Sequence, residues 1–248
     1  MIVQNSEEIE EFVSKNGYRL KYIIDQTEKI CLAALRSSGY ALEYVRKQTE
    51  DLCLAAVNNA GFALEHVKEQ THAICLAAVK QEGCSLKYVK EQTYAICLAA
   101  VKQDGLSLRF VEEQTEKICL TAVEQNEFSL VFVRDQTEKI CLFAVKREGN
   151  TLCYVKEQTE EICLTAVHNT SNALKFVKDQ TPEICLIAVT KNGLMLEFVR
   201  EQTQELCLAA LTNNPKSEKY IKINLEMTMN FLLRKIENLG IVNCEIQL

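Results

Sequence analysis

Apolar and polar residues follow a pattern that recurs every 22 residues along most of the chain. One copy is Val-Lys-Glu-Gln-Thr-His-Ala-Ile-Cys-Leu-Ala-Ala-Val at residues 67–79, and nine close copies begin between Gln26 and Gln202. Self-similarity at a fixed period of this length is typical of solenoids, in which each unit buries its apolar face only against its neighbours. The period therefore predicts an array of stacked repeats.

Each copy predicts two helices joined by a turn. A threonine precedes every apolar run, and its hydroxyl can cap the first helix by accepting a hydrogen bond from an amide of the first turn. Pro182 follows Thr181 directly, at the first helical position, where its missing N–H costs nothing. A glycine after the run, such as Gly61, fits the left-handed position that ends many helices. A second, shorter helix is predicted next, for example over residues 63–69.

The pattern changes at both ends of the array. In residues 1–25, Ile9, Phe12 and Val13 form a single apolar stripe with glutamates around it, which is what a terminal cap requires. A longer amphipathic pattern from residue 224 predicts a closing helix. We therefore predict an all-α fold in one continuous domain. It is an α-solenoid of nine 22-residue helix-turn-helix repeats at 26–223, between an N-terminal capping repeat at 1–25 and a C-terminal capping helix and tail at 224–248.

Composition and charge narrow the functional classes. The chain is 48% hydrophobic and 25% charged, which is typical of a folded protein. It has no apolar run long enough to span a bilayer. Its N-terminal segment contains acidic residues, whereas a signal peptide begins with basic residues. We expect no membrane association and a cytoplasmic location. A net charge of -6 argues against nonspecific binding of nucleic acid.

The chain has 12 cysteines, most of which follow the 22-residue period. Equivalent atoms of stacked repeats lie roughly 8 to 10 Å apart, whereas a disulfide needs Cα atoms within about 7 Å and zinc needs several sulfurs around one ion. We therefore predict that these side chains are small buried hydrophobes in a reducing compartment, with no metal site and no cofactor. The periodic cysteines are Cys31, Cys53, Cys75, Cys97, Cys119, Cys141, Cys163, Cys185 and Cys207.

Catalysis has no support in the sequence. Carboxylate pairs such as Glu160 and Glu161 fall on predicted surface turns, and no serine or cysteine is accompanied by a base and an orienting group. Seven of the eight glycines follow the repeat, and the glycines form no phosphate-binding motif. We predict a protein that is not an enzyme and has no catalytic residues.

Two further rows carry polar or aromatic side chains. A glutamine precedes every capping threonine, and we predict that its amide satisfies turn backbone groups or pairs along the array. An aromatic residue near the end of the second helix recurs in most repeats, with His66 in the same position of one repeat. We predict that this row packs in the core or between repeats and does not stack on bases.

Departures from the repeat indicate where a protein partner could bind. His72 and Tyr94 occupy a position at the start of the first helix that is glutamate in most repeats, and the charges beside them are replaced by alanine. Phe143 and Ile187 occupy a position that is alanine in most repeats. These four residues are the candidate partner-binding site of a scaffold protein.

Two alternatives remain. The first is nucleic-acid binding, in which a row of basic side chains on the second helices contacts phosphates. An adjacent row of acidic side chains cancels much of the positive charge of this row. The second is a purely structural spacer without a specific ligand. The basic row consists of Arg46, Lys68, Lys90, Arg134, Lys156, Lys178 and Arg200 and continues to Lys222, with Glu112 interrupting it.

The repeat itself resembles a known class of short helical repeats. Its Gln-Thr-x-x-Ile-Cys-Leu-x-Ala-Val run, glycine turn and Leu-x-aromatic-Val-Lys segment are similar to the family catalogued as domain of unknown function 4116. That family occurs especially in giant DNA viruses and in bacteria that live inside amoebae. The resemblance covers residues 17–222 and implies a tandem helical array and a viral or host-interaction setting. If the protein is viral, the cytoplasmic location expected above is the host cytoplasm. It implies no activity and no catalytic residue.

Overall fold

The computed structural model describes residues 5–223, which form ten successive pairs of an α-helix and a short 3₁₀ helix, without a strand in this range. The α-solenoid of nine repeats after Gln26 is thereby confirmed, whereas the predicted capping helix at 224–248 lies outside the described residues. The α-helices are α1 (Ser6–Ser14), α2 (Glu28–Ser37), α3 (Glu50–Asn59), α4 (His72–Gln81), α5 (Tyr94–Gln103), α6 (Glu116–Gln125), α7 (Glu138–Arg147), α8 (Glu160–Asn169), α9 (Pro182–Lys191) and α10 (Gln204–Asn213). The 3₁₀ helices are η1 (Gly17–Tyr22), η2 (Gly39–Tyr44), η3 (Gly61–His66), η4 (Gly83–Tyr88), η5 (Gly105–Phe110), η6 (Glu127–Phe132), η7 (Gly149–Tyr154), η8 (Ser171–Phe176), η9 (Gly193–Phe198) and η10 (Pro215–Tyr220).

Contacts group the chain into two units, Met1–Asp135 and Gln136–Leu248. In the first unit, α1 to α6 pack on one another in order, and each 3₁₀ helix packs against the α-helix before it and, from η1 to η5, the one after it. The second unit repeats this arrangement from α7 to η10. The single continuous domain stays a prediction.

A hydrogen bond from the first turn to a threonine side chain marks the start of each α-helix in the nine repeats. The Oγ1 atom of each threonine accepts a hydrogen bond from the N–H three residues later, at 3.3–3.4 Å in all nine repeats. Pro182 is the first residue of α9. The predicted threonine caps are thus confirmed, since each satisfies an amide that has no partner inside its own helix.

The buried positions of the core recur with the 22-residue period of the sequence. In α4, Ile74, Cys75, Ala78 and Val79 are buried, and Leu86 of η4 joins them. Residues 76 and 77 on the other side of α4 are only half-buried. Each α-helix is therefore covered on several sides, as its apolar sequence predicts, but it keeps one half-exposed face.

The first helix differs from its successors. Val13 of α1 is buried against α2, whereas Ile9 and Phe12 are half-buried and Glu8 and Glu11 are exposed. This arrangement agrees with the single apolar stripe of the sequence, because a terminal element packs on one neighbour only.

The prediction of left-handed glycines is wrong. None of the seven glycines in the described residues has a positive φ, and each begins a 3₁₀ helix after an extended residue, such as Glu148 with φ −143° before Gly149. Glycine is needed at these positions because the next repeat packs too closely to leave room for a side chain. A Cβ on Gly149 would lie 2.4 Å from the backbone oxygen of Ala166 in the next repeat.

The predicted second helix also differs in type and bounds. In the second of the nine repeats it is the 3₁₀ helix η3, which begins at Gly61, and residues 67–69 follow its end. Extended residues at 60 and 67 leave room for only six helical residues, and short segments of this kind adopt the tighter 3₁₀ form.

Candidate interaction surfaces

The glutamine that precedes each capping threonine bonds to the backbone of the next turn. The Nε2 of Gln70 donates to the Tyr88 carbonyl at 2.8 Å, and its Oε1 accepts the Lys90 N–H at 3.0 Å. The predicted structural role is confirmed, and each turn is bonded to its successor. We call this set the glutamine ladder: Gln26, Gln48, Gln70, Gln92 and Gln114 in the first unit, and Gln136, Gln158, Gln180 and Gln202 in the second.

The nine periodic cysteines are buried beside this ladder. From the second of the nine repeats onward a second contact is seen: the Sγ of Cys75, for instance, lies 3.5 Å from the Oε1 of Gln70 and can donate to it. Burial raises the pKa of the Cys75 and Cys97 thiols. The thiols therefore stay protonated and are poor nucleophiles, because the thiolate is the reactive form.

We expect maleimide to modify the exposed Cys153 first and to leave the buried periodic cysteines unmodified until the protein unfolds. The assay uses a Cys244→Ser background, since Cys244 lies outside the described residues, and mass spectrometry to place the label. Modification of Cys75 or Cys97 in the folded protein at a rate similar to that of Cys153 would contradict this prediction.

The basic row was predicted on the second helices, but it lies in the exposed turns that follow the 3₁₀ helices, and its side chains contact backbone. The Nζ of Lys90 donates to the Lys68 carbonyl at 3.0 Å, and the Nη1 of Arg46 donates to the Ile24 carbonyl at 2.9 Å. Lys68, Arg134, Lys178 and Arg200 make the same kind of bond to the preceding repeat. The row therefore has a structural role of its own, and phosphate binding along it stays an untested alternative.

His72 and Tyr94 lie at the first positions of the neighbouring helices α4 and α5. The cleft beside His72 also contains Lys68 and Lys90 and has a volume of about 320 Å³. Tyr94 borders the next cleft, where Glu112 and Glu113 face it. The structure thus places the two predicted residues side by side on the same edge of the first unit.

A larger groove lies on the half-exposed face of α5 and extends to Lys80 of α4. Its volume is about 530 Å³, and its apolar lining consists of Tyr94, Ala95, Leu98 and Ala99. Lys80, Lys102 and Gln103 form its polar border. Tyr94 is 52% exposed and is the largest apolar side chain available there. We call this region the α4–α5 surface.

Phe143 and Ile187 do not form a common site. Both are half-buried on the outward side of their helices, but they belong to α7 and α9, with α8 between them. The guanidinium of Arg147 lies 6.0 Å from the centre of the Phe143 ring. Because α8 separates the two helices, each of these side chains stays a separate candidate.

The aromatic row is half-exposed for most of its length. In the first unit its rings make edge-to-face contacts with rings of the preceding repeat, such as Tyr40 with His66 at 6.4 Å between centroids. Packing between repeats agrees with the sequence interpretation, and His66 does occupy an aromatic position. The rings lie on the surface of the 3₁₀ helices and not in the core.

Residues 5–223 contain neither a metal-binding cluster nor a helix that could cross a bilayer. No three His, Cys, Asp or Glu side chains in that range lie close enough together to hold a metal ion. No helix there combines the length and apolar character that crossing a bilayer requires.

The sequence did not reveal the partners of the glutamine ladder or the groove bordered by Lys80 and Lys102. Lysine at that point of the helix also occurs in α7, as Lys146, so nothing in the repeat pattern distinguishes it.

No family profile, curated protein or solved structure significantly matches this chain. The resemblance to the repeats of domain of unknown function 4116 therefore stays a prediction.

Proposed function

We propose that this protein is a non-enzymatic repeat scaffold that binds a protein partner on the α4–α5 surface. The observation that carries the proposal is the groove of about 530 Å³, which is lined by α5 residues, the exposed Tyr94 among them, and bordered by Lys80 of α4. Grooves on helical surfaces accept short peptide segments, and a tyrosine beside small apolar residues is a common anchor in such interfaces.

Comparison with the other repeats supports this location. The second residue of the α-helix is charged in seven repeats, whereas α4 and α5 have Ala73 and Ala95. These two helices also have no aspartate or glutamate along their whole length. The charged counterparts in the other helices are Lys29, Asp51, Lys117, Lys139, Glu161, Glu183 and Glu205.

Charge on the border indicates the partner chemistry. Lys80 and Lys102 are both exposed at the groove. A peptide with an apolar side chain for the groove and an acidic residue for these lysines would match the surface, since complementary charge steers and orients association. We therefore expect the partner segment to be acidic and amphipathic.

We expect four substitutions to abolish binding at this surface: His72→Glu, Ala73→Lys, Tyr94→Glu and Ala95→Lys. They give α4 and α5 the Glu-Lys start of α2, α6 and α7, so the fold should tolerate them. A displayed library of random peptides is selected on the wild-type protein, and the affinity of the selected peptides is then measured by fluorescence anisotropy. Loss of the tyrosine anchor should weaken binding by about tenfold or more.

The control is Glu161→Lys, which creates the same Glu-Lys start in α8. Peptides selected on the wild type should bind this variant unchanged, and circular dichroism should show equal helix content in all three proteins. Selection of the same peptides by the wild type and by the four-residue variant would remove the α4–α5 surface from consideration.

A further inference from the structure

Two clefts of opposite charge flank the start of α5. Thr93 lines both of them, and its neighbour Tyr94 lines the second cleft and the groove of the α4–α5 surface. A segment of a partner that lies in the groove and passes Tyr94 therefore reaches the mouth of one cleft or the other.

The cleft on the α4 side, which we call the basic cleft, carries an excess of positive charge. Lys68, Lys90 and His72 line it together with one acidic residue, Glu91. Each lysine ammonium donates to a backbone carbonyl, at 3.3 Å for Lys68 and 3.0 Å for Lys90. An ammonium has three N–H donors, and both lysine side chains are exposed. The basic cleft can therefore bind a carboxylate without breaking a contact that it already makes.

The cleft on the α6 side, which we call the acidic cleft, has the opposite charge. Glu112 and Glu113 line it, and no basic residue of the described chain does so. Glu112 is also the residue that interrupts the basic row. Because like charges repel one another, an acidic segment that passes Tyr94 is directed away from the acidic cleft and into the basic cleft.

Equivalent clefts at other junctions show that the positive excess is not a general property of the repeat. One borders α2 and α3, another borders α9 and α10, and each contains as many acidic as basic residues. The first contains Asp25, Glu28, Arg46 and Lys47, and the second contains Asp179, Glu201, Lys178 and Arg200.

We propose that the partner segment bound at the α4–α5 surface carries two acidic side chains, one that pairs with Lys80 and Lys102 and a second that enters the basic cleft. The inference rests on the proposed function, which supplies the groove for the apolar side chain between the two acids. Tyr94 and Lys102 are eight residues apart in α5, which is about 12 Å along the helix axis. An extended segment covers that distance with about four residues. The surface thus recognises two acids at least about four residues apart, with an apolar residue between them.

The test starts with the peptides that the wild-type protein selects from the displayed library, which should carry acids on both sides of an apolar residue. The cleft variant, His72→Glu with Lys90→Glu, reverses the charge of the basic cleft and leaves Tyr94 and the groove unchanged. Its affinity for these peptides, measured by fluorescence anisotropy, should be about tenfold lower, because the second acid meets like charge. The variant should fold, since Glu28 and Glu112 occupy the same two positions in other repeats.

A control separates the cleft from the overall charge of the protein. Gln204→Glu with Lys222→Glu changes the same two repeat positions in the second unit and makes the same change in net charge, with His72 counted as neutral. This control should bind the selected peptides within about twofold of the wild type at physiological ionic strength, where exposed charges are screened. An equal loss in the control and in the cleft variant would overturn the proposal.

Peptides with one acid removed identify the side chain that enters the cleft. Each acid of a selected peptide is replaced by glutamine in turn, and one of these peptides should bind the wild type and the cleft variant equally, because it has no charge left for the cleft to repel. If the unaltered peptides already bind both proteins equally, the basic cleft takes no part and the proposal is refuted while the groove stands. A selection that enriches no peptide, or the same peptides on the four-residue variant, would remove the α4–α5 surface itself and this inference with it.

Discussion

Replacing Gln70 with alanine should lower the free energy of unfolding by about 2–3 kcal/mol. Its Nε2 donates to the Tyr88 carbonyl at 2.8 Å and its Oε1 accepts the Lys90 N–H at 3.0 Å. Both partners are backbone groups of the following turn, and alanine leaves them without this contact. The loss exceeds that of a typical surface substitution because two bonds disappear together. Urea unfolding followed by circular dichroism measures it.

Two variants sharpen this experiment. Gln81→Ala removes an exposed glutamine from the last turn of α4 and should change stability by less than about 0.5 kcal/mol. Gln70→Glu keeps an acceptor for Lys90 but removes the donor to Tyr88, and its destabilisation should diminish as acid protonates the carboxylate and restores a donor. If Gln70→Ala unfolds at the same urea concentration as Gln81→Ala, the glutamine ladder does not stabilise the array.

Replacing Gly149 with alanine should destabilise the protein by a similar amount, about 2–3 kcal/mol. The new Cβ would lie 2.4 Å from the Ala166 carbonyl oxygen and 2.9 Å from the Thr170 Cβ. The first of these is a backbone atom of α8, so the helix itself must move to relieve the contact. Alanine also restricts the unfolded chain, which offsets up to about 1 kcal/mol of the cost, and the net loss is what thermal unfolding will report.

The matched control is Ser171→Ala in the next repeat. Ser171 begins η8 as Gly149 begins η7, so this position already accommodates a Cβ. We expect a change within about 0.5 kcal/mol, since only a hydroxyl is removed from a half-buried side chain. Equal stability of Gly149→Ala and the wild type would show that the spacing of these helices adapts freely.

The sequence correctly predicts those features that depend only on residues close together in the chain. The threonine caps and Pro182 follow from hydrogen bonds within one helical turn, and the buried positions follow from the apolar period. Both could be derived without knowing how the repeats pack. The fold class followed from the period alone.

Features set by the neighbouring repeat were harder to predict. Gly149 fits a left-handed turn as well as a close approach, and only the Ala166 oxygen decides between them. The glutamine was correctly given a structural role, but its partners lie 18 and 20 residues away and depend on the stacking of the turns. The spacing of residues along the sequence does not show which groups of neighbouring turns come into contact.

The candidate site was predictable in part. His72 and Tyr94 differ from their counterparts in other repeats, and the structure places them on adjacent helices. Lys80 and Lys102 follow the pattern and were missed, because a groove border is a property of two helices together. Phe143 and Ile187 depart from the pattern as clearly, yet another helix separates them. A departure from the repeat therefore identifies an unusual residue, but it does not show that two such residues share a surface.

The glutamine ladder has a consequence for how such a gene can change in length. Each of its bonds joins a turn to the next one only, and the same amide makes the same two contacts at every junction. Tandem duplication of one 22-residue segment would create a junction chemically identical to the existing ones. Loss of a segment would likewise restore a standard junction, so copy number can drift while the chemistry of every interface is preserved.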